Sequence, residues 1–179
     1  MQDVQHPEEG KKPETKKEKL QKILSFIWRW VLALAVVSAL LLNLFTHVLQ
    51  VVSYSGTGME PAIKGGQTLV LLKTQKVKAG DVIAFYYNNQ VLIRRVVCTG
   101  GNQIEISREG HVSINGTHLP EDYVQHRSIG QCNISFPHHV RTGTVFVMGD
   151  NREASMDSRL AEIGTVPTDR IIGKVLIII

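Results

Sequence analysis

Residues 23–49 run almost continuously apolar, and between Val31 and Leu42 only Ser38 interrupts them. A helix crosses the hydrocarbon core of a bilayer with about 20 such residues. This run constrains the chain more than any other feature, and it reads as one membrane-spanning helix. Arg29 lies near its start, where a long stem can carry the charge back to the headgroups. Trp28 and Trp30 suit the interface at the same level. Asn43 and His47 sit near the other end. A cleaved secretory signal also places a basic region before an apolar one, but this apolar stretch is too long and no small-x-small site closes it. An uncleaved anchor is expected.

Residues 1–22 are almost wholly polar, with Lys11, Lys12, Lys16, Lys17, Lys19 and Lys22 among Glu8, Glu9, Glu14 and Glu18. Such a stretch buries too little surface to fold alone. Lys64 is the only basic residue soon after the span. Because positive charge marks the cytoplasmic side, the expected organisation is a cytoplasmic tail at 1–22, a transmembrane helix at 23–49 and an extracytoplasmic domain at 50–179, in a single-pass cell-membrane protein.

Beyond the span the pattern becomes β. Residues 68–72, 82–87, 91–97, 103–106, 112–114, 144–148 and 171–179 are rich in Val, Ile, Tyr and Phe, and turn formers separate them. Residues 111–119 read as a hairpin with Asn115-Gly116 as a type I′ turn. The fold class is all-β behind one helix. Twenty basic against sixteen acidic residues give a net charge of +4, too weak and dispersed to argue for nucleic acid. Cys98 and Cys132 cannot build a disulfide framework or a zinc site by themselves; bridged or free, both states stay open. His138-His139 lacks a third ligand at helical spacing, so no metal or cofactor is expected. Asn115-Gly116-Thr117 and Asn133-Ile134-Ser135 fit the glycosylation pattern, but such triplets are common and the first is explained by its turn.

The most informative segment is Gly149-Asp150-Asn151-Arg152-Glu153-Ala154-Ser155-Met156-Asp157-Ser158-Arg159. It resembles the type I signal peptidases, matching their G-D-N-R-x-x-S-x-D-S-R signature at every fixed position. The resemblance continues in order. Gly56-Thr57-Gly58-Met59-Glu60-Pro61 is similar to the family's nucleophile segment, G-x-S-M-x-P. Ala79-Gly80-Asp81-Val82-Ile83 is similar to its next strand, and Ile93-Arg94-Arg95-Val96-Val97 with Gly101-Asn102 to the segment that holds its general base. The resemblance implies a coiled β-sheet or barrel-like core with a β-ribbon extension.

Two departures dominate. The nucleophilic serine falls on Gly58 and the base lysine on Arg94. Family members use a Ser-Lys dyad in which a lysine of lowered pKa takes the hydroxyl proton. Glycine has nothing to attack with, and a guanidinium with a pKa above about 12 cannot serve as a base. In extended chain Thr57 and Ser55 should face away from the old cleft, so neither replaces the serine. Of the retained scaffold, the resemblance implies that Ser155 oriented the lysine and that Asp157 pairs with Arg95 and Arg159. Asn102 and Ala62 replace an aspartate and a threonine or serine. Gly56, Met59 and Pro61 are the candidate peptide-binding residues.

The expected function is a membrane-anchored, non-catalytic binding or accessory protein for exported, signal-peptide-bearing polypeptides. Signal-peptidase-like proteins that lack these residues accompany pilus assembly in some Gram-positive bacteria, and the resemblance implies a role of that kind. The alternative is an active signal peptidase I that removes signal peptides from secreted preproteins. Arg94 would add positive charge to the cleft and favour an acidic partner segment, unless it pairs with a nearby acid and closes the site.

Overall fold

The computed structural model describes residues 16–179. The tail residues 1–15 lie outside the described residues. The helix α1 spans Lys16–His47 and so takes in residues 16–22 of the polar stretch. Lys, Leu and Gln are good helix formers, and the apolar run supplies the nucleus that an isolated charged segment lacks. Residues 19–47 are apolar enough to cross a membrane, with a mean hydropathy of 2.1, and none of that stretch is buried against the rest of the protein. Only Val48 separates α1 from the first strand, β1 (Leu49–Ser53), so Leu49, counted with the span on hydropathy, opens a strand instead. The chain divides into two units, residues 1–44 and 45–179.

Beyond the end of α1 the second unit is β apart from a 3-10 turn at Thr168–Arg170. Its strands are β1, β2 (Thr68–Leu72), β3 (Val82–Tyr87), β4 (Gln90–Thr99), β5 (Gln103–Ile106), β6 (Val112–Ile114), β7 (Thr117–His118), β8 (His138–His139), β9 (Thr144–Met148), β10 (Val166–Pro167) and β11 (Ile171–Ile178). They form a seven-stranded sheet in the order β1-β2-β11-β3-β4-β9-β10 and a four-stranded sheet in the order β7-β6-β5-β8. The larger sheet ends at β1 and β10 and does not close into a barrel. The smaller one is the ribbon extension. Its hairpin turns at Asn115 and Gly116, whose φ values of 50° and 78° are both positive, as a type I′ turn requires.

Strand alternation sorts the core. On β3, Ile83 and Phe85 enter one buried cluster with Val96 and Val147. Ala84 enters another with Ile93, Leu69, Leu71, Tyr54, Met59 and Ile63. A third cluster joins the two sheets, where Val97, Phe146 and Met148 meet Ile104, Ile106 and Val112. Cys98 lies in that cluster as a free thiol, and Cys132 is also free. Burial pushes the Cys98 thiol up to about 11.

Two strand edges stay open beside one another in the lining of a single cleft. Among the described residues β1 pairs only with β2, which leaves its outer edge free. β4 pairs with β3 along residues 90–95, whereas β9 joins its other side only from Arg95 onward. The stretch 90–94 therefore has one unpaired edge.

Candidate functional site

A cleft of about 330 Å³ lies between these edges, lined by residues 52–58, residues 90–94, Ala154 and Met156. Gly58 and Arg94, far apart in sequence, meet in it. A side-chain carbon on Gly58 would stand 3.3 Å from the Arg94 guanidinium carbon and from Nη2. Arg94 is 6% exposed. Its Nε donates to the Met156 carbonyl at 2.8 Å, and its Nη1 to the Ile93 carbonyl at 2.6 Å. Burial holds the Arg94 pKa below the usual guanidinium value, and nearby Asp157 and Tyr54 oppose that shift.

The loop after β9 closes over this pair. Asn151 N–H donates to the Gly58 carbonyl at 3.1 Å, and Asn151 Nδ2 to the Thr57 carbonyl at 3.3 Å. Gly149 lies so close that a side-chain carbon there would collide with Ser155 Oγ and the Gly58 carbonyl. Glycine is needed at 149 for that approach. Asp157 is fully buried; it accepts from Gly149 N–H at 2.9 Å and binds Arg159 through two bonds of 2.8 Å. Arg159 also donates to the carbonyls of Arg152 and Ile129, at 2.8 and 2.7 Å. Ser155 is buried as well, yet its Oγ has no hydrogen-bond partner among the described residues.

The arginine neighbouring Arg94 behaves differently from the sequence expectation. Arg95 pairs with Asp150, through bonds of 2.8 and 2.6 Å, and not with Asp157. Successive strand residues point opposite ways, so Arg94 reaches Gly58 and Met156, while Arg95 reaches Asp150, the Gly80 carbonyl at 3.0 Å and the ring of Tyr123 at 4.2 Å. Asp157 serves Arg159 alone of the two.

The nucleophile segment also departs from the strand geometry assumed for it. The regular strand ends at Ser53, and a turn closes where Glu60 N–H donates to the Thr57 carbonyl at 3.1 Å. Alternation therefore fails there, and Ser55 and Thr57 line the cleft along with Gly56. Met59 does not: it is wholly buried in the core, its N–H donating to the Tyr54 hydroxyl at 3.1 Å. Pro61 is exposed outside the lining.

Two residues that organise the site escaped the sequence reading. Tyr54 packs its ring under Gly56 and accepts from Met59. Glu121 is buried and takes Arg152 through bonds of 3.1 and 2.5 Å, with the Tyr123 hydroxyl donating to it at 2.9 Å. Glu121 lies 31 residues from its arginine in an irregular loop, so no local pattern announces it.

Residues 27–179 match the family described as signal peptidase, peptidase S26. Signal peptidase IB of Staphylococcus aureus (strain COL) is 27% identical over 169 residues, which cover 83% of this chain and 87% of that one. Signal peptidase I P of Bacillus subtilis subsp. natto is 31% identical over 158 residues, 80% of this chain and 83% of its own. The crystal structure of a signal peptidase I from Enterococcus faecalis V583 is 30% identical, with a TM-score of 0.48 over 57% of this chain and 97% of that one. The match along most of its length places the chain in a family: it belongs to the signal peptidases of peptidase family S26.

Proposed function

We propose that this membrane-anchored signal peptidase homologue holds exported polypeptides, including signal-peptide-bearing or pilus-type proteins, in its cleft without cutting them. One observation carries the reading: the Arg94 guanidinium occupies the space against Gly58, where the family resemblance puts hydroxyl and amine. A Ser-Lys mechanism needs a hydroxyl to attack and a neutral amine to take its proton. Glycine supplies no hydroxyl, and a guanidinium stays charged. Ser155 Oγ, left without a partner, supports the same reading, since its implied role was to orient a lysine.

Binding survives the loss of chemistry on physical grounds. An extended segment adds to exposed strand edges through main-chain hydrogen bonds, and the open edges of β1 and of residues 90–94 both border the cleft. Neither edge depends on a serine or a lysine. An open cleft beside an absent dyad supports the accessory role.

The test uses the full-length protein in detergent micelles with a preprotein. No cleavage is expected from the native protein or from Gly58→Ser alone, because the introduced side chain still meets the guanidinium. Gly58→Ser with Arg94→Lys restores both groups of the dyad beside Ser155 and Asp157, and some cleavage is the expected gain. Cleavage by the native protein, freed of contaminating peptidase, would establish the alternative, an active signal peptidase I.

A further inference from the structure

Counting half-buried Arg95 with the fully buried groups, the charges behind the cleft do not balance. Arg94, Arg95, Arg152 and Arg159 face three carboxylates, those of Glu121, Asp150 and Asp157. Each carboxylate is taken by one arginine: Asp150 by Arg95, Glu121 by Arg152 and Asp157 by Arg159. Arg94 is the fourth. No carboxylate forms an ion pair with it among the described residues, and its bonds run to the carbonyls of Met156 and Ile93. Carbonyl dipoles satisfy donors but do not neutralise a charge. Tyr54 adds a side-chain hydrogen bond to the guanidinium, and among the described residues no carbonyl or carboxylate takes Nη2.

A buried charge is ordinarily paired, since removing it from water is costly. Among the described residues Arg94 has no ion-pair partner, and it lines the cleft that the peptide reading uses. The guanidinium packs against Gly58, where an added side-chain carbon would stand 3.3 Å from it, and both residues line the cleft.

We infer that Arg94 is a carboxylate anchor: the extended segment held in the cleft presents a carboxylate at the level of Gly58. A guanidinium with spare N–H groups accepts a carboxylate in a charge-assisted, bidentate arrangement. The carboxylate comes from an acidic side chain or from a free peptide C-terminus, and both offer the same two oxygens. This inference rests on the peptide-binding reading and adds a ligand chemistry to it.

Full-length protein in detergent micelles is titrated with three peptides of one extended sequence. The first is neutral with an amidated C-terminus, the second has a free C-terminal carboxylate, and the third is amidated with one internal Glu. At least one carboxylate peptide should bind about ten-fold tighter than the neutral one, as a charged hydrogen-bonding pair in a partly desolvated site implies. Whichever of the two is tighter identifies the source of the carboxylate. Arg94→Gln should collapse the difference between the peptides, and Arg94→Lys should keep part of it. Equal affinity of the native protein for all three peptides overturns the carboxylate anchor and leaves the cleft reading standing. No binding of any peptide at millimolar concentration overturns the cleft reading and the anchor with it. The comparison of peptides on the native protein decides the matter even if a variant fails to fold.

Discussion

Ser155 and Gly58 show how single atoms separate a retained scaffold from a retained mechanism. Most buried hydroxyls in folded proteins have a partner, and an unsatisfied one costs about 1–3 kcal/mol. Ser155 Oγ is buried without a partner, although the whole loop around it is tightly bonded. Ser155→Ala removes that atom while keeping the carbon that packs against Gly149. The expected outcome is an unchanged or higher midpoint of urea unfolding, by up to about 1–3 kcal/mol in stability. A loss of similar size would show that the hydroxyl is engaged and would weaken the case for an orphaned catalytic group. Arg94 stands at the opposite extreme, a charged side chain with carbonyl partners but no counter-charge in ion-pair contact.

The elements carry a different lesson, because what holds the cleft in shape is the loop after β9 and the acid that locks it. Arg152 and Glu121 are 1% exposed each. Removing one partner of a buried pair leaves the other charge uncompensated, at about 3–5 kcal/mol. Glu121→Ala should therefore lower the stability of the β unit by that amount in denaturant unfolding; a loss below about 1 kcal/mol would mean that solvent reaches Arg152 when the acid is gone. Nothing local in the sequence marks Glu121. By contrast β2, β3, β5, β6 and β9 were legible to the residue, since β-branched runs between turn formers encode them directly. The two-residue strands β8 and β10 were not, because partners distant in sequence create them. Of the cleft, the motifs located Gly58, Arg94 and the loop 149–159. Side-chain directions were another matter. Thr57 faces the cleft because the chain turns at residues 57–60, and Arg95 takes Asp150 because that acid lies on its own side of β4. Tertiary placement decides both.

At the scale of the whole molecule, helix length and charge position together predict orientation. α1 has 32 residues, about 48 Å at 1.5 Å per residue. A bilayer measures about 40–45 Å with its headgroup regions, so the helix reaches across both. Its lysines and arginine, Lys16, Lys17, Lys19, Lys22 and Arg29, all precede Trp30, and residues 30–47 carry no Lys or Arg. Cationic residues beside a span favour the cytoplasmic side, so the expected orientation has the amino-terminal end inside and the β unit outside. Two tagged forms test this on protoplasts: one with an epitope before Met1, the other with an epitope after Ile179, whose side chain is 71% exposed. External protease should remove the second epitope and spare the first until the membrane is opened with detergent. Loss of the amino-terminal epitope in intact protoplasts, or survival of the carboxy-terminal one, would reverse or refute the orientation. It would also remove the cleft from the compartment in which exported polypeptides could reach it.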